Sequence, residues 1–264
     1  MRARFALVVL AASLSACAGP ALRPAVTPSA PNSDALLVLP GFGYGRQDDA
    51  AFRTAARAAA AAGLDFYVSD YVTRSGLAAS RARLLEFIRD NRLDRYQRLH
   101  VFAFIAGAWT VNPLVDAGQI PNLASITYDR SPYQERAPRI AVTRLRLLAW
   151  LRYGSMIFEV ARTPYAPLRA PHVRVGLLVE SKPSAFIRKH EAAAREGGPF
   201  AFGCGSFGQR HDDCAYLPMD HDDLYARFDA LWPELLAFIR AGRFTVDAAR
   251  TPPVDDGRSW RSPR

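Results

Sequence analysis

The chain has 264 residues, half of them hydrophobic, and a formal net charge of +9, which suits one α/β domain with a full core. The positive charge rests on arginine, because Lys182 and Lys189 are the only lysines. A basic chain is drawn to anionic surfaces, but no nucleic-acid-binding module is recognisable, so a nucleic-acid partner is not expected.

The opening MRARFALVVLAASLSAC carries Arg2 and Arg4, an apolar run from Phe5 to Leu14 and small residues before Cys17, the layout of an export signal. The run is too short to span a bilayer. Its Leu14-Ser15-Ala16-Cys17 ending resembles the bacterial lipobox, which implies a signal peptide over residues 1–16 and acylation of Cys17, with membrane attachment through that residue. Ala18, in place of an aspartate, favours the outer membrane where the cell has one. The expected location is therefore the bacterial cell envelope, facing the periplasm. Residues 17–33 are rich in Pro, Ala and Ser without apolar periodicity and read as a tether.

From residue 34 to 244 strand and helix signals alternate, which predicts a mostly parallel sheet with helices on both faces. Ala35 to Leu39 is a buried strand opening into Pro40-Gly41; Asp48 or Asp49 caps an alanine-rich helix ending at Gly63. Phe66 to Val68 begins a strand, and Leu77, Leu84, Leu85 and Ile88 recur at helical spacing between Gly76 and Asn91. Leu99 to Ile105 is apolar on both faces, as a central parallel strand should be. Further strands are expected at Leu123–Thr127, Val173–Val179 and Tyr216–Met219, then one amphipathic helix over Leu224–Ile239.

Between about 140 and 170, Leu145, Leu147, Leu148, Trp150, Leu151, Met156, Ile157 and Phe158 interleave with Arg144, Arg146 and Arg152. Two readings are open: a helix packed into the core, or a cap whose Arg and Trp content suits a lipid-facing surface. Residues 245–264 return to Pro and charge and are expected to be disordered. With Cys17 acylated, Cys204 and Cys214 remain as an even pair in a glycine-containing loop, which predicts a disulfide in an oxidising compartment. Zinc is the weaker alternative: His211 lies between them, but no second ligand pair follows. No metal site and no cofactor is otherwise indicated.

Four segments in order resemble a bacterial α/β-hydrolase of the lipase and GPI-inositol-deacylase-like type: LLVLPGFGYG (36–45), HVFAFIAGAW (100–109), PNLASITYDRSPYQERAPRIA (121–141) and LPMDHDDLYARFDALWPELLAFIRAGRF (217–244). The resemblance implies an oxyanion loop at Gly41, Phe42 and Gly43, although a plain strand-end loop reads equally well there. It implies a nucleophile turn of the form G-x-S-x-G around residue 105. The serine position is Ile105, and no serine occurs between Ser80 and Ser125. His221 matches the general base, the alternative being a loop histidine beside a helix-capping Asp220 or Asp222. The acid is open between Glu180, at the end of a strand, and Asp212 or Asp213, ahead of the histidine.

A triad without a positioned oxygen or sulfur loses orders of magnitude in rate. The expected function is therefore a membrane-anchored hydrolase-like lipoprotein, catalytically impaired at Ile105, that binds an acyl or envelope ligand or a partner. The alternative is an active esterase or lipase with a displaced nucleophile, or a water activated by His221. A purely structural envelope protein would need no pocket, so an open site beside His221 separates it from the other two.

Overall fold

A computed structural model describes residues 33–42, 44–45, 49–255 and 257–261. The signal segment, Cys17, nearly all of the tether and Gly43 lie outside the described residues. The elements run β1 (Asp34–Leu39), α1 (Asp49–Ala61), β2 (Leu64–Val68), α2 (Leu77–Asp90), β3 (Arg98–Ala103), α3 (Ile105–Asp116) and β4 (Leu123–Arg130). They continue with α4 (Ala137–Arg144), α5 (Arg146–Tyr153), α6 (Ser155–Arg162), β5 (Arg174–Glu180), α7 (Ala185–Lys189) and α8 (Glu191–Arg195). The last are β6 (Asp213–Leu217), α9 (His221–Ala226) and α10 (Trp232–Ala241).

All six strands are parallel, in the order β2-β1-β3-β4-β5-β6. Each face of the sheet is buried under its own cluster, because side chains alternate along a strand. In β1, Ala35, Leu37 and Leu39 pack into one cluster while Leu36 and Val38 pack into the other, so the strand reads as an unbroken apolar run. The chain leaves β1 toward one edge and returns to pair β3 on the other side. Ligands in open α/β sheets bind at such a reversal, outside the carboxyl ends of the strands. Gly41 and Ile105 stand there.

Helix α3 lies close to the sheet because Gly107 has no side chain. A Cβ on that residue would sit 3.0 Å from Leu39 Cβ and 3.2 Å from both Ala103 Cβ and the Leu39 carbonyl oxygen. The final helical region is broken where the sequence reading had one helix: α9 ends at Ala226 and α10 starts at Trp232. Pro233 explains the break, since it cannot donate to residue 229 and disfavours helical backbone in the residue before it except at a helix start.

The stretch between β4 and β5 forms three short helices rather than a single core helix. Their inner sides are buried at Ile140, Ala149, Met156, Ile157 and Val160, whereas Leu147, Leu148 and Trp150 are exposed. Cys204 and Cys214 form the expected disulfide. The tail differs from its expected disorder: Ala249 bridges Tyr216, and Trp260 packs edge-on against Tyr133 with its indole N–H donating to Asp255. Apolar and polar anchors spaced among the prolines hold a segment whose mean composition is that of a linker.

Replacing Gly107 with Ala should destabilise the fold. The helix-propensity gain of about 1 kcal/mol is outweighed by overpacking against a strand backbone that cannot yield, about 1–3 kcal/mol. Urea denaturation of the variant checks the sign, and a higher midpoint than the parent would refute the close-approach account.

Candidate functional site

His221 is the first residue of α9. Asp220 caps that helix, accepting from the Asp223 N–H at 2.9 Å, and pairs with Arg188 at 3.2 Å. Asp220 is therefore the cap, and His221 is a buried helix residue, not a loop histidine. The ring is clamped edge-on by Phe104 and Tyr225, at centroid distances of 5.6 and 5.1 Å.

Its Nδ1 lies 2.9 Å from Glu180 Oε1 and 3.1 Å from Asp129 Oδ2. Both carboxylates are completely buried. Glu180 ends β5 and Asp129 is the last residue but one of β4, so the parallel sheet delivers both acids to the same edge. Glu180 Oε2 and both oxygens of Asp129 accept no hydrogen bond from a described group, which makes His221 the principal compensation for this buried acid pair. Desolvating a carboxylate costs on the order of several kcal/mol.

This arrangement sets the protonation state. Burial alone would lower the His221 pKa, but the Glu180 charge, with the close approach of Asp129 and the bond to Glu180, raises it well above the usual histidine range. Burial and the Asp129 charge push Glu180 up to about 8, against the opposing pull of His221. His100 shows the opposite balance: its Nδ1 faces Ser125 Oγ at 2.7 Å, its Nε2 is 3.9 Å from Asp34, and desolvation outweighs that charge and pushes it down to about 4. The acid pair thus favours the protonated His221 ring, in which Nε2–H would lie on the side away from the acids.

That side faces a cavity of about 200 Å³, lined by Gly41, Phe42, Ile105, Tyr153, Ile157 and His221 among others. Gly41 stands 3.8 Å from Nε2, measured from where its Cβ would be. The Gly41 N–H already donates to the Tyr225 hydroxyl at 2.7 Å, so as an oxyanion donor it is engaged within the protein. Phe42 lines the cavity and packs on Tyr153 of α5 at 5.2 Å.

Ile105 opens α3 after an extended Phe104 (φ −62°, ψ 161°). The strand reading had carried β3 through Ile105; the structure ends it at Ala103. Among the described residues Arg92 is the only non-glycine with positive φ, so the strained turn that presents a hydrolase nucleophile is relaxed here. A β-branched residue with positive φ would be a severe outlier.

Asp213 is not part of this group. It sits opposite Gly176 at the start of β6, whereas Glu180 lies opposite Leu217, roughly 13 Å farther along at 3.3 Å per residue. Asp213 accepts from the Cys214 and Phe244 N–H groups and pairs with Arg250. Asp212 is likewise engaged at that end, by the Val175 N–H. Asp129 was missed because the sequence reading ended its strand at Thr127; carrying the strand two residues further would have put it beside Glu180 at the sheet's carboxyl edge.

No family model matches the chain, and no curated protein matches it in sequence. Solved structures do resemble it. The lipase BlEst2 of Bacillus licheniformis aligns over 82% of this chain and 97% of its own at 12% identity, with a TM-score of 0.55. The juvenile hormone epoxide hydrolase of the silkworm Bombyx mori aligns over 83% and 72% at 11% identity, with a TM-score of 0.51. Est1E from Butyrivibrio proteoclasticus covers 82% and 93% at 13% identity, with a TM-score of 0.45. The chain has the α/β-hydrolase fold.

His221→Ala should destabilise the protein by about 3–5 kcal/mol at neutral pH, because it leaves the buried Asp129 and Glu180 pair without its cationic partner. The Glu180 pKa stands above its unfolded value in the fold, so the lost stability should return as pH falls toward 4.5, the ordinary value for that residue. Thermal melts of parent and variant from pH 8 to pH 4.5 check this; a constant difference across that range would contradict it.

Proposed function

We propose that this protein uses a hydrolase fold to hold an acyl-type ligand in the cavity above Ile105 without forming an acyl-enzyme. The observation that carries the proposal is Ile105 itself: the nucleophile position bears an apolar side chain on an unstrained helix start and forms part of the cavity lining. Two further features support it. The Gly41 N–H is bound to Tyr225, and His221, in the protonated form that the acid pair favours, has no lone pair at Nε2 to take a proton. What remains is a largely apolar cavity with His221 and a few polar side chains, Gln134, Ser184 and Asp222, in its lining, suited to the carbonyl or carboxyl end of an aliphatic ligand.

The open cavity argues against a purely structural envelope role. In this proposal the protein is attached to the bacterial envelope through acylated Cys17, on the strength of the lipobox-like LSAC sequence. A second reading, hydrolysis by a water activated at His221, is favoured by one observation, the assembled contact of His221 with Glu180 and Asp129. It is harder chemistry, because water must attack without covalent help.

A nitrophenyl ester series from short to long acyl chain separates the two. The parent should show only background hydrolysis, and Ile105→Ser should remain unlabelled by fluorophosphonate because the turn lacks the strained conformation. Decanoate should bind by calorimetry and lose binding in the cavity-filling Ile105→Trp. Turnover by the parent that disappears in His221→Gln would overturn the binding reading.

A further inference from the structure

Between Glu135 and Glu159 the chain has no acidic residue and five arginines, at 136, 139, 144, 146 and 152. Arg136 is bound to the Ala194, Gly198 and Pro199 carbonyls, and Arg144 to Glu196. Helix α5 sits in the middle of this basic stretch. Ala149 and Tyr153, four residues apart, share its inner face: Ala149 is buried and Tyr153 lines the cavity.

The outer side carries Leu147, Leu148 and Trp150, exposed by 68%, 61% and 52%. These are three of the five large hydrophobic residues exposed among the described residues, and they fall within a single turn. Arg146 and Arg152, both exposed, stand at the two ends of the same helix. Single exposed hydrophobics need no explanation, but a contiguous set rimmed by polar groups marks an interaction surface.

We propose that the outer face of α5 docks on an anionic phospholipid bilayer, with Leu147, Leu148 and Trp150 entering the interface and Arg146 and Arg152 meeting headgroup phosphates. The layout is that of a helix lying in the plane of a membrane, apolar on one side with cationic borders. Tryptophan favours the headgroup level, and arginine stems reach from an apolar surface to phosphate. Charge selects the occupant: a surface with no acid of its own across this stretch complements an anionic bilayer. A second copy would bring like charges together face to face. No described helix is long and apolar enough to cross a membrane, so the contact is superficial.

Because Tyr153 lines the cavity from the same helix, docking would place the cavity wall about one helix diameter, roughly 10 Å, from the bilayer. An apolar ligand would have a short route between the two. The inference holds whether or not the cavity performs chemistry.

The test uses the full chain carrying Cys17→Ser, which cannot be acylated at that residue, in flotation with phosphatidylglycerol or phosphatidylcholine vesicles. The N-terminal apolar run is common to all samples, so the cap is read from differences. Leu147→Asp with Trp150→Asp should reduce phosphatidylglycerol binding about tenfold or more. Arg146→Glu with Arg152→Glu, which leaves the apolar face intact and guards against misfolding, should reduce it by a similar factor and flatten the dependence on salt. Equal flotation of both variants and their parent would overturn the proposal. So would concentration-dependent self-association through this face without vesicle binding.

Discussion

Two carboxylates buried on either side of one imidazole nitrogen are the constraint around which the site is organised. Asp129 and Glu180 arrive from adjacent parallel strands, and neither can be desolvated there without a cation. His221 supplies it, from the first position of a helix fixed by the Asp220 cap. The sheet direction, the cap and the edge-on packing by Phe104 and Tyr225 all serve the same geometry. The electrostatic cost falls on the acid side of the ring, and it favours a proton on Nε2 at the other side.

Position 105 makes the same choice by steric means. A nucleophile turn stores backbone strain that a β-branched residue does not tolerate, and the chain relaxes into an ordinary helix start. Gly107 still allows the close approach of helix to sheet that such a turn needs, so that packing persists beside the substituted position. Ile105, Phe42 and the helices between β4 and β5 make the space a largely apolar cavity with His221 in its lining. Helix α5 then has two different faces, one lining that cavity through Tyr153 and one exposing leucine and tryptophan between arginines.

Much of the fold was legible because buried parallel strands are uninterrupted apolar runs, and β1, β3 and β5 are of that kind. His221 and Glu180 could be read from position, each following or ending a strand on one edge. Asp129 could not, since an acid two residues beyond an apparent strand end looks like a loop residue, and only the register with β5 brings it to Glu180. Asp213 was equally plausible by sequence, yet it sits at the opposite end of its strand, held by Arg250 and two backbone N–H groups. The tail was misjudged for a related reason: average composition describes its prolines and charges but not the contacts of Ala249 and Trp260.

The most direct test is the protonation state of His221, read from the ¹⁵N shifts of its ring by NMR as pH is raised from 5 to 9. The account predicts a doubly protonated imidazolium at neutral pH, with both ring nitrogens bearing hydrogen and titration well above the usual histidine range. A neutral ring at pH 7, protonated on Nδ1 and with a free lone pair at Nε2, would contradict it, because a competent base would then face the cavity.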